Sequence, residues 1–444
     1  MESLNEFIPN AKPLFELCHT ILEAAGHGAR RADALPEMRA LVLEGIQQVS
    51  QRAQTRWPDG MEPSRQEREA LAGQLRNCDS KSIQPLAAKW FNSFCTALMR
   101  IFAAQMPHTT QLTGELCRDA KAILESLPMD GTTRGRLLLQ LGMKCEVWDP
   151  QLSWEYIMQA FDTVPDLLAE GGDDYLKGYV YRPGAHPQTE ITACPICGGK
   201  GTPFHAACSC LINSFDPMFL PGKLWMRCGQ CGNLYSKYFP TEFLQMGSVP
   251  KVLQPDPTVM KVREVSSSSL RIWCDILNRI RNYTSGNTLL EVGVGQGHLI
   301  AVAQEMGYEV TAVEILESEA RQTADLLGLP VICGDFLHLE ENLKVDIITM
   351  GDVIEHLQRP VDGLKKAHRL LKDGGILWLS TPNFESAFSR MTKVDDPMWR
   401  EPYHITYFSR SGLLKQLEWV GFQLLDYRVS NRYNGSMELL LNKV

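Results

Sequence analysis

Residues 288–297 read Thr288-Leu-Leu-Glu291-Val-Gly293-Val-Gly295-Gln-Gly297. A short apolar run passes into three glycines at alternate positions, and a helical stretch from His298 to about Met306 follows. A strand that turns through glycines into a helix lets a ligand approach the backbone closely. Further apolar runs follow at Glu309–Glu314, Pro330–Cys333, Val345–Met350 and Ile376–Ser380. Helical stretches from about Ser318 to Leu327 and Val361 to Leu371 separate them, the second ending in the stop signal Lys372-Asp373-Gly374-Gly375. Strands alternating with helices predict an α/β fold with a mostly parallel sheet. The runs Gln423–Val429 and Met437–Leu441 flank Asn431, Asn434 and Gly435, which predicts a closing hairpin and brings the sheet to seven strands.

The glycine turn alone would suit a dinucleotide equally well. Three features narrow it. Glu291 stands inside the strand before the first glycine, and the glycines run G-x-G-x-G. Glu314 follows 23 residues later, at the end of the second strand, where a carboxylate can accept from both hydroxyls of a ribose. Gly334-Asp335-Phe336 follows the third strand, where an acidic side chain can receive an adenine amino group.

With these residues in this order, residues 285–444 resemble the class I S-adenosylmethionine-dependent methyltransferases, whose domain is Rossmann-like. The stretch Asp352-Val-Ile-Glu355-His356-Leu after the fourth strand, with Ser380-Thr-Pro-Asn383, looks most like the small-molecule subgroup that includes ubiquinone-pathway O-methyltransferases. The resemblance implies that Gly293, Gly295 and Gly297 with Glu291 hold the methionine part of the donor, Glu314 the ribose, and Asp335 with Phe336 the adenine. Asp352 is expected beside the donor. The Asn/Asp-Pro-Pro-Tyr element of enzymes that methylate base or amide nitrogens is absent, and Met350-Gly-Asp352-Val stands in its place.

An oxygen acceptor needs a base. The candidates are His404 and His356, with Glu355 and Asp352 beside them. His356 opens the segment after the fourth strand, at the carboxyl edge of the sheet where ligands sit. His404 lies in the long connection 382–411, and such loops are usually functional. The aromatics of that connection, Phe384, Phe388, Trp399, Tyr403 and Tyr407, are of a kind that stacks on a ring or sugar face. The alternative is that His404 only pins the loop by a hydrogen bond. Asp395, Asp396 and Glu401 read as a solvated acidic loop, with metal binding beside His404 as the alternative.

Upstream, cysteine dominates. Of 13 cysteines, six lie between Cys194 and Cys231. Cys194-Pro-Ile-Cys197-Gly and Cys228-Gly-Gln-Cys231-Gly are two Cys-x-x-Cys pairs separated by residues 198–227. Two such turns can close a tetrahedron of thiolates around Zn2+, so a structural zinc ribbon is expected, with the intervening residues as a loop. His205, Cys208 and Cys210 in that stretch stay open: a bland loop, a substitute ligand or a second metal. Some sugar C-methyltransferases carry a cysteine module ahead of the same domain, and the match to them is partial.

Residues before about 180 read as all-α. Leu35, Met38, Val42, Ile46 and Val49 share one helical stripe, and Ala87, Trp90, Phe94, Ala97, Leu98 and Ile101 another. The expected organisation is a helical domain over 1–182, a zinc-ribbon module over 183–250 and the methyltransferase domain over 251–444. A net charge of −8 works against nucleic acid as partner. No segment reads as a membrane span or secretory signal, so a cytoplasmic protein is expected. The function expected is O-methylation of a small molecule or sugar. The alternatives are a protein or RNA methyltransferase that recognises its substrate through the ribbon, and a non-catalytic binding protein on a methyltransferase scaffold. The helical domain is the candidate surface for a protein partner.

Overall fold

The computed structural model describes residues 131–146, 149–169, 174–245, 250–256, 258 and 267–444. The helical stripes expected at 35–49 and 87–101 lie outside the described residues. Among the described residues no helix is long and apolar enough to cross a membrane. The chain divides into two compact units: one takes the residues up to Ala185 together with Pro203–Leu224, the other His186–Thr202 together with Trp225–Val444.

In the first unit, helices α1 (Gly131–Cys145) and α2 (Pro150–Thr163) form a hairpin. Asp149 caps α2 by accepting from the Leu152 amide, and Pro150 occupies the first helical position, where its missing N–H costs nothing. The helices approach closely because Gly142 has no side chain: a Cβ there would lie 2.9 Å from Ile157 Cγ1. Ser153 Oγ donates to the Gly142 carbonyl at 2.7 Å across the same contact.

The second unit begins with β1 (Gln188–Glu190). The stretch expected as a loop between the cysteine pairs instead holds strands β2 (Gly201–Cys208), whose residues from Pro203 on count with the first unit, and β3 (Gly222–Cys228), which counts with the second from Trp225 on. The reason is burial: Leu224, Trp225 and Met226 form a run with almost no exposed surface, which satisfies its backbone best in a ladder. Next come β4 (Leu234–Ser236), β5 (Tyr238–Pro240) and the short helix α3 (Thr241–Gln245). β4 pairs antiparallel with β3, and β5 with β1.

The main sheet is built from β6 (Lys251–Leu253), β7 (Thr288–Val292), β8 (Glu309–Glu314), β9 (Val331–Cys333), β10 (Val345–Gly351), β11 (Leu371–Pro382), β13 (Phe422–Val429) and β14 (Ser436–Lys443). Its order is β13-β14-β11-β10-β7-β8-β9-β6. The five strands β11, β10, β7, β8 and β9 run parallel, and the hairpin β13–β14 joins antiparallel at β11. The sheet thus has eight strands rather than the expected seven. The addition, β6, pairs antiparallel with β9 at the far edge. Three residues with one buried side chain leave almost no periodic trace in a sequence.

The parallel strands are covered by α4 (Ser267–Arg281), α5 (His298–Glu305), α6 (Glu317–Leu327) and α7 (Pro360–Leu370). Leu289, Ile347, Ile376 and Trp378 of the sheet meet Ile276, Leu277 and Ile280 of α4 and Leu299, Val302 and Ala303 of α5 in one core. Lys372–Gly375, expected as a turn, instead lies within β11 as an irregularity, across which the register opposite β10 jumps from Leu371 to Ile376. The connection after β11 folds into α8 (Ala387–Thr392), two short 3-10 turns and β12 (Thr406–Tyr407), before α9 (Arg410–Val420) leads into the hairpin.

The chain runs from β7 outward to β9 in one direction and then returns to build β10 and β11 in the other. The strand order therefore reverses between β7 and β10, and the crevice at their carboxyl ends is where such sheets take ligands.

Arg279 of α4 ties the hairpin to this core. Its Nη1 donates to Glu438 Oε2 at 2.7 Å, and its Nη2 to Asp426 Oδ2 at 2.9 Å. Ser430 Oγ holds the other oxygen of Glu438. Glu438 is buried, so removing its cation leaves a buried charge uncompensated, which costs about 3–5 kcal/mol. Arg279→Ala is therefore expected to lower the unfolding free energy by about that amount in chemical denaturation. An unchanged midpoint would show that the hairpin does not depend on this pair.

Candidate active site and cysteine cluster

The glycine turn adopts backbone angles that side chains resist. Gly293, Gly295 and Gly297 have φ of +75°, +49° and +76°. Gly293 also has no room for a Cβ, which would sit 2.7 Å from Val353 Cγ2, whereas a Cβ on Gly295 would point into open space. The first and last glycines are thus required by packing and conformation. The middle one leaves a gap where a ligand would lie.

Two carboxylates flank this turn. Glu314, at the end of β8, is buried. Its Oε2 accepts from the Val294 amide at 3.0 Å and its Oε1 from the Leu316 amide at 3.0 Å. A carboxylate offers about four acceptor sites, so both oxygens keep capacity for a ligand's hydroxyls. Glu291, on β7, is buried as well, and its Oε2 has no hydrogen-bond partner. Burial pushes Glu291 well above the usual carboxylate range, the cation of Arg432 opposes this, and the charge of Glu314 adds to it. Burial likewise raises Glu314, against the lowering effect of its backbone donors.

Asp335 begins a 3-10 turn after β9 and accepts from the Leu337 amide at 2.9 Å, which fixes its carboxylate at the sheet edge. Phe336 beside it is buried. Asp352, after β10, is one of two non-glycine residues with positive φ among those described, at +57°. Its Oδ1 accepts from Ser380 Oγ at 2.7 Å and its Oδ2 lies 3.1 Å from Arg432 Nη2. Asp tolerates the left-handed conformation better than most residues, because its short side chain can bond locally.

Arg432 is a functional-site residue that sequence reasoning did not find. It reaches over from the β13–β14 turn, and its guanidinium stacks on Trp273, 4.2 Å from the ring centroid. Gly351 accommodates it, since a Cβ there would lie 2.9 Å from Arg432 Nη1. No sequence spacing links a hairpin turn to a strand end 80 residues earlier.

His356 and His404 come together, with ring centroids 4.7 Å apart at 76°. Glu355 joins them. One ligand atom from each of these three residues lies within 4.8 Å of the other two. Ile405 donates its amide to the Glu355 carbonyl at 2.9 Å, which locks the His404 segment onto the 3-10 turn that carries Glu355 and His356. Glu355 is buried; its Oε2 accepts from Thr381 Oγ1 at 2.9 Å, while Oε1 has no hydrogen-bond partner.

The rest of the 382–411 connection departs from expectation. Asp396 is not solvated: it is fully buried and accepts from the Tyr407 hydroxyl at 3.0 Å. Tyr407 in turn meets Phe384, Trp399 and Trp225 at centroid distances of 5.7, 5.1 and 5.7 Å. These aromatics stack on one another and form a small core beneath the loop, which was unreadable because loop aromatics have no period that distinguishes a core from a binding face.

The cysteine pairs converge as expected. Cys194 Sγ and Cys231 Sγ are 3.7 Å apart, Cys197 Sγ and Cys228 Sγ 3.4 Å, and all four fall within one cluster. A tetrahedron with Zn–S bonds of about 2.3 Å has edges of about 3.8 Å, so the donor set fits zinc. The two turns are built alike. Gly198 donates its amide to the Cys194 carbonyl and Gly232 to that of Cys228, and both glycines have φ of +74°. The contact between Cys194 and Cys231 holds the Cys231 thiol down to about 5 while Cys194 is pushed up, and four sulfurs this close can all be thiolates only with a cation between them. His205, Cys208 and Cys210 are buried and belong to the first unit. Among the described residues they form no part of a metal-type cluster.

The cluster is joined to the His404 loop. β12 pairs antiparallel with β4 (Thr406 with Tyr235, Tyr407 with Leu234), and Ser236 donates its amide to the Ile405 carbonyl at 2.8 Å. Asn233, two residues after Cys231, accepts from the Ser409 amide through Oδ1 at 3.0 Å.

Comparison with known proteins agrees with this geometry. The family described as "Methyltransferase domain" matches residues 266–427. The chain is similar to a probable S-adenosylmethionine-dependent methyltransferase of Mycolicibacterium smegmatis, 26% identical over 34% of this chain and 58% of that protein. It is also similar to a ubiquinone biosynthesis O-methyltransferase of Pseudomonas paraeruginosa, 31% identical over 22% of this chain and 46% of that one. The chain thus spans about half the length of these curated relatives. Among solved structures, magnesium protoporphyrin IX methyltransferase from Synechocystis, with bound SAH, matches at TM-score 0.34 and 16% identity, covering 41% of this chain and 90% of that one. The glycine turn, the carboxylates that flank it and the family match coincide on one sheet: this chain carries an S-adenosylmethionine-dependent methyltransferase domain of class I.

Proposed function

We propose that the protein transfers a methyl group from S-adenosylmethionine to a hydroxyl oxygen of a small molecule or a sugar. The observation that carries this reading is the glycine turn lying between two buried carboxylates, one braced by backbone amides and the other with an unpartnered oxygen. In this reading Glu314 receives the ribose hydroxyls, and Asp335 with Phe336 receives the adenine. Gly293, Gly295 and Gly297 border the methionine part, with Glu291 and Asp352 facing its positive charges. Bound there, the donor supplies a methyl group already activated by its sulfonium.

The chain's own work is then alignment and proton removal. His404 and His356 sit together beside the carboxyl end of β10, adjoining Asp352, and take the acceptor side of the crevice. His404 is the base in this assignment, and His356 its neighbour. The relatives named as ubiquinone biosynthesis O-methyltransferases support oxygen as the atom methylated. The net charge of −8 favours a small acceptor over nucleic acid.

We assign a structural Zn2+ to Cys194, Cys197, Cys228 and Cys231, in a module over residues 183–250 ahead of a catalytic domain over 251–444. Because β12 hangs on β4, this module also frames the acceptor side by fixing where His404 stands. Residues 1–182 are the proposed docking surface for a partner or a larger acceptor.

Two outcomes test this. Glu314→Ala should weaken S-adenosylhomocysteine binding by about 1–3 kcal/mol in calorimetric titration, because the ribose hydroxyls lose a buried acceptor. Unchanged affinity in a folded variant refutes the ribose assignment. Cys194→Ser should lose one zinc per chain by elemental analysis and lower methyl transfer, while S-adenosylhomocysteine affinity stays near that of the parent. Stoichiometric zinc in that variant removes Cys194 from the ligand set.

A further inference from the structure

Four buried polar atoms that make no hydrogen bond stand on the side of the sheet that α4 covers: Glu291 Oε2, Thr349 Oγ1, Trp378 Nε1 and Arg432 Nη1. We infer that Arg432, to which the methyl-transfer reading gives no role, selects the donor by its carboxylate: Nη1 pairs with that group, Glu291 takes the neighbouring ammonium, and a donor without the carboxylate is rejected. The inference rests on the methyl-transfer reading for the identity of the ligand, though not for the kind of head group that fits.

The strand register puts three of these residues in one row. Glu291 of β7 lies opposite Thr349 of β10, and Thr349 opposite Trp378 of β11. Partners across a parallel pair project from the same face. Trp378 shows which face: it packs in the core beneath α4, its ring 5.9 Å from that of Trp273. Leu289, Ile347 and Ile376, two residues earlier on the same strands, belong to that core too. The face therefore turns from aliphatic to polar as it nears the carboxyl edge. Arg432 closes the row from above. A Cβ on Gly351 would lie 2.9 Å from Arg432 Nη1 and 3.0 Å from Trp378 Cζ3, so guanidinium and indole meet over that glycine. The other end of the guanidinium is committed, with Nη2 3.1 Å from Asp352 Oδ2 and the group stacked on Trp273. The turn itself is fixed by the Arg432 amide, which donates to Ser430 Oγ at 3.0 Å.

A guanidinium only donates and cannot shed its charge. A buried one with an idle N–H calls for an acceptor, and a carboxylate is the acceptor that bonds it most strongly. Glu291 presents the opposite demand, a buried acid that a cation relieves. The charge of Arg432 is felt at Glu291, yet Nη1 and Oε2 make no bond to one another. The space between them thus has a donor at one end and an acceptor at the other. A group with a carboxylate and an ammonium on one carbon meets both demands at once. A phosphate meets only the first and a lone amine only the second. Thr349, between Glu291 and Trp378 in the row, and the Trp378 indole N–H supply two further donors for a carboxylate's remaining lone pairs.

The test is calorimetric titration of the full-length chain with three ligands: S-adenosylhomocysteine, its decarboxylated analogue, which keeps the amine, and methylthioadenosine, which lacks both groups. The parent should prefer S-adenosylhomocysteine over the decarboxylated analogue by about ten-fold or more, the worth of one hydrogen bond between charged groups. In Arg432→Gln that preference should collapse to near parity, through weaker binding of S-adenosylhomocysteine alone. A merely structural role for Arg432 would instead weaken all three ligands together and leave the preference intact, which overturns the inference. Arg432→Lys keeps the charge without the planar fork, so it serves where the glutamine variant does not fold, and its preference should fall in the same direction. Parity between the two amines in the parent overturns the inference without any variant. Methylthioadenosine separates the readings: a parent that binds it, yet binds both amines alike, retains the nucleoside site and loses the role of Arg432, whereas a folded parent that binds none of the three loses the donor reading and this inference with it.

Discussion

The two-residue ladder between β12 and β4 determines where His404 can stand. His404 sits at the end of a connection that crosses some twenty residues without a long element. Nothing within that connection would hold an imidazole to a fraction of an ångström. Three backbone anchors do: Ile405 to Glu355, Ser236 to Ile405, and the β12–β4 pairing itself. Asn233 adds a side-chain anchor at Ser409, and Gly412 is glycine because any Cβ there would run into the Asn233 amide group, 2.3 Å away. β4 follows the second cysteine turn directly, so the cysteine cluster, the strand and the histidine form one mechanical chain. A functional residue on a loop is only as well placed as the scaffold behind it. Here that scaffold is the strand that follows the second cysteine turn rather than the main sheet.

The donor half is organised by a different constraint, the crowding of acids in a dry place. Glu291, Asp352 and Glu355 are all raised by burial, and Arg432 is the cation that opposes this at each of them. One guanidinium cannot neutralise three carboxylates. The crevice therefore favours either protons or a positively charged guest, and a ligand bearing a sulfonium and an ammonium meets the second condition. Arg432 itself is held by stacking on Trp273 and by Asp352, so its charge is fixed in place rather than drawn in by the ligand. Preorganised charge of this kind avoids reorganisation when the ligand arrives.

How much of this was legible in the chain depends on distance along it. The glycine turn, Glu291, Glu314 and the alternating strands are local patterns, set by backbone sterics and by period, and they were readable. The cysteine turns were readable for the same reason, since four residues define a knuckle. The partnership of His356 with His404 spans 48 positions, and only the cluster of candidate bases was visible, without their contact. Arg432, the orphaned oxygen of Glu355 and the β12–β4 ladder belong to tertiary structure alone. The aromatic connection misled in an informative way: Tyr407 and Trp399 looked like a surface for a ring, yet Asp396 and Trp225 close over them.

That burial sharpens what the acceptor side is made of. With Phe384, Trp399 and Tyr407 committed to one another, the proposed acceptor side draws mainly on polar groups: His356, His404 and Asp352. Recognition by a few hydrogen-bonding groups on a stiff frame discriminates strongly against molecules that lack the matching hydroxyl, because each unpaired buried group then costs free energy. On the proposed reading, an acceptor with several oxygens suits such a crevice better than a flat hydrophobic ring does. The sugar acceptor proposed above fits that preference, since a polyol can pair with each of these groups at once whereas a lone phenol can pair with only one or two.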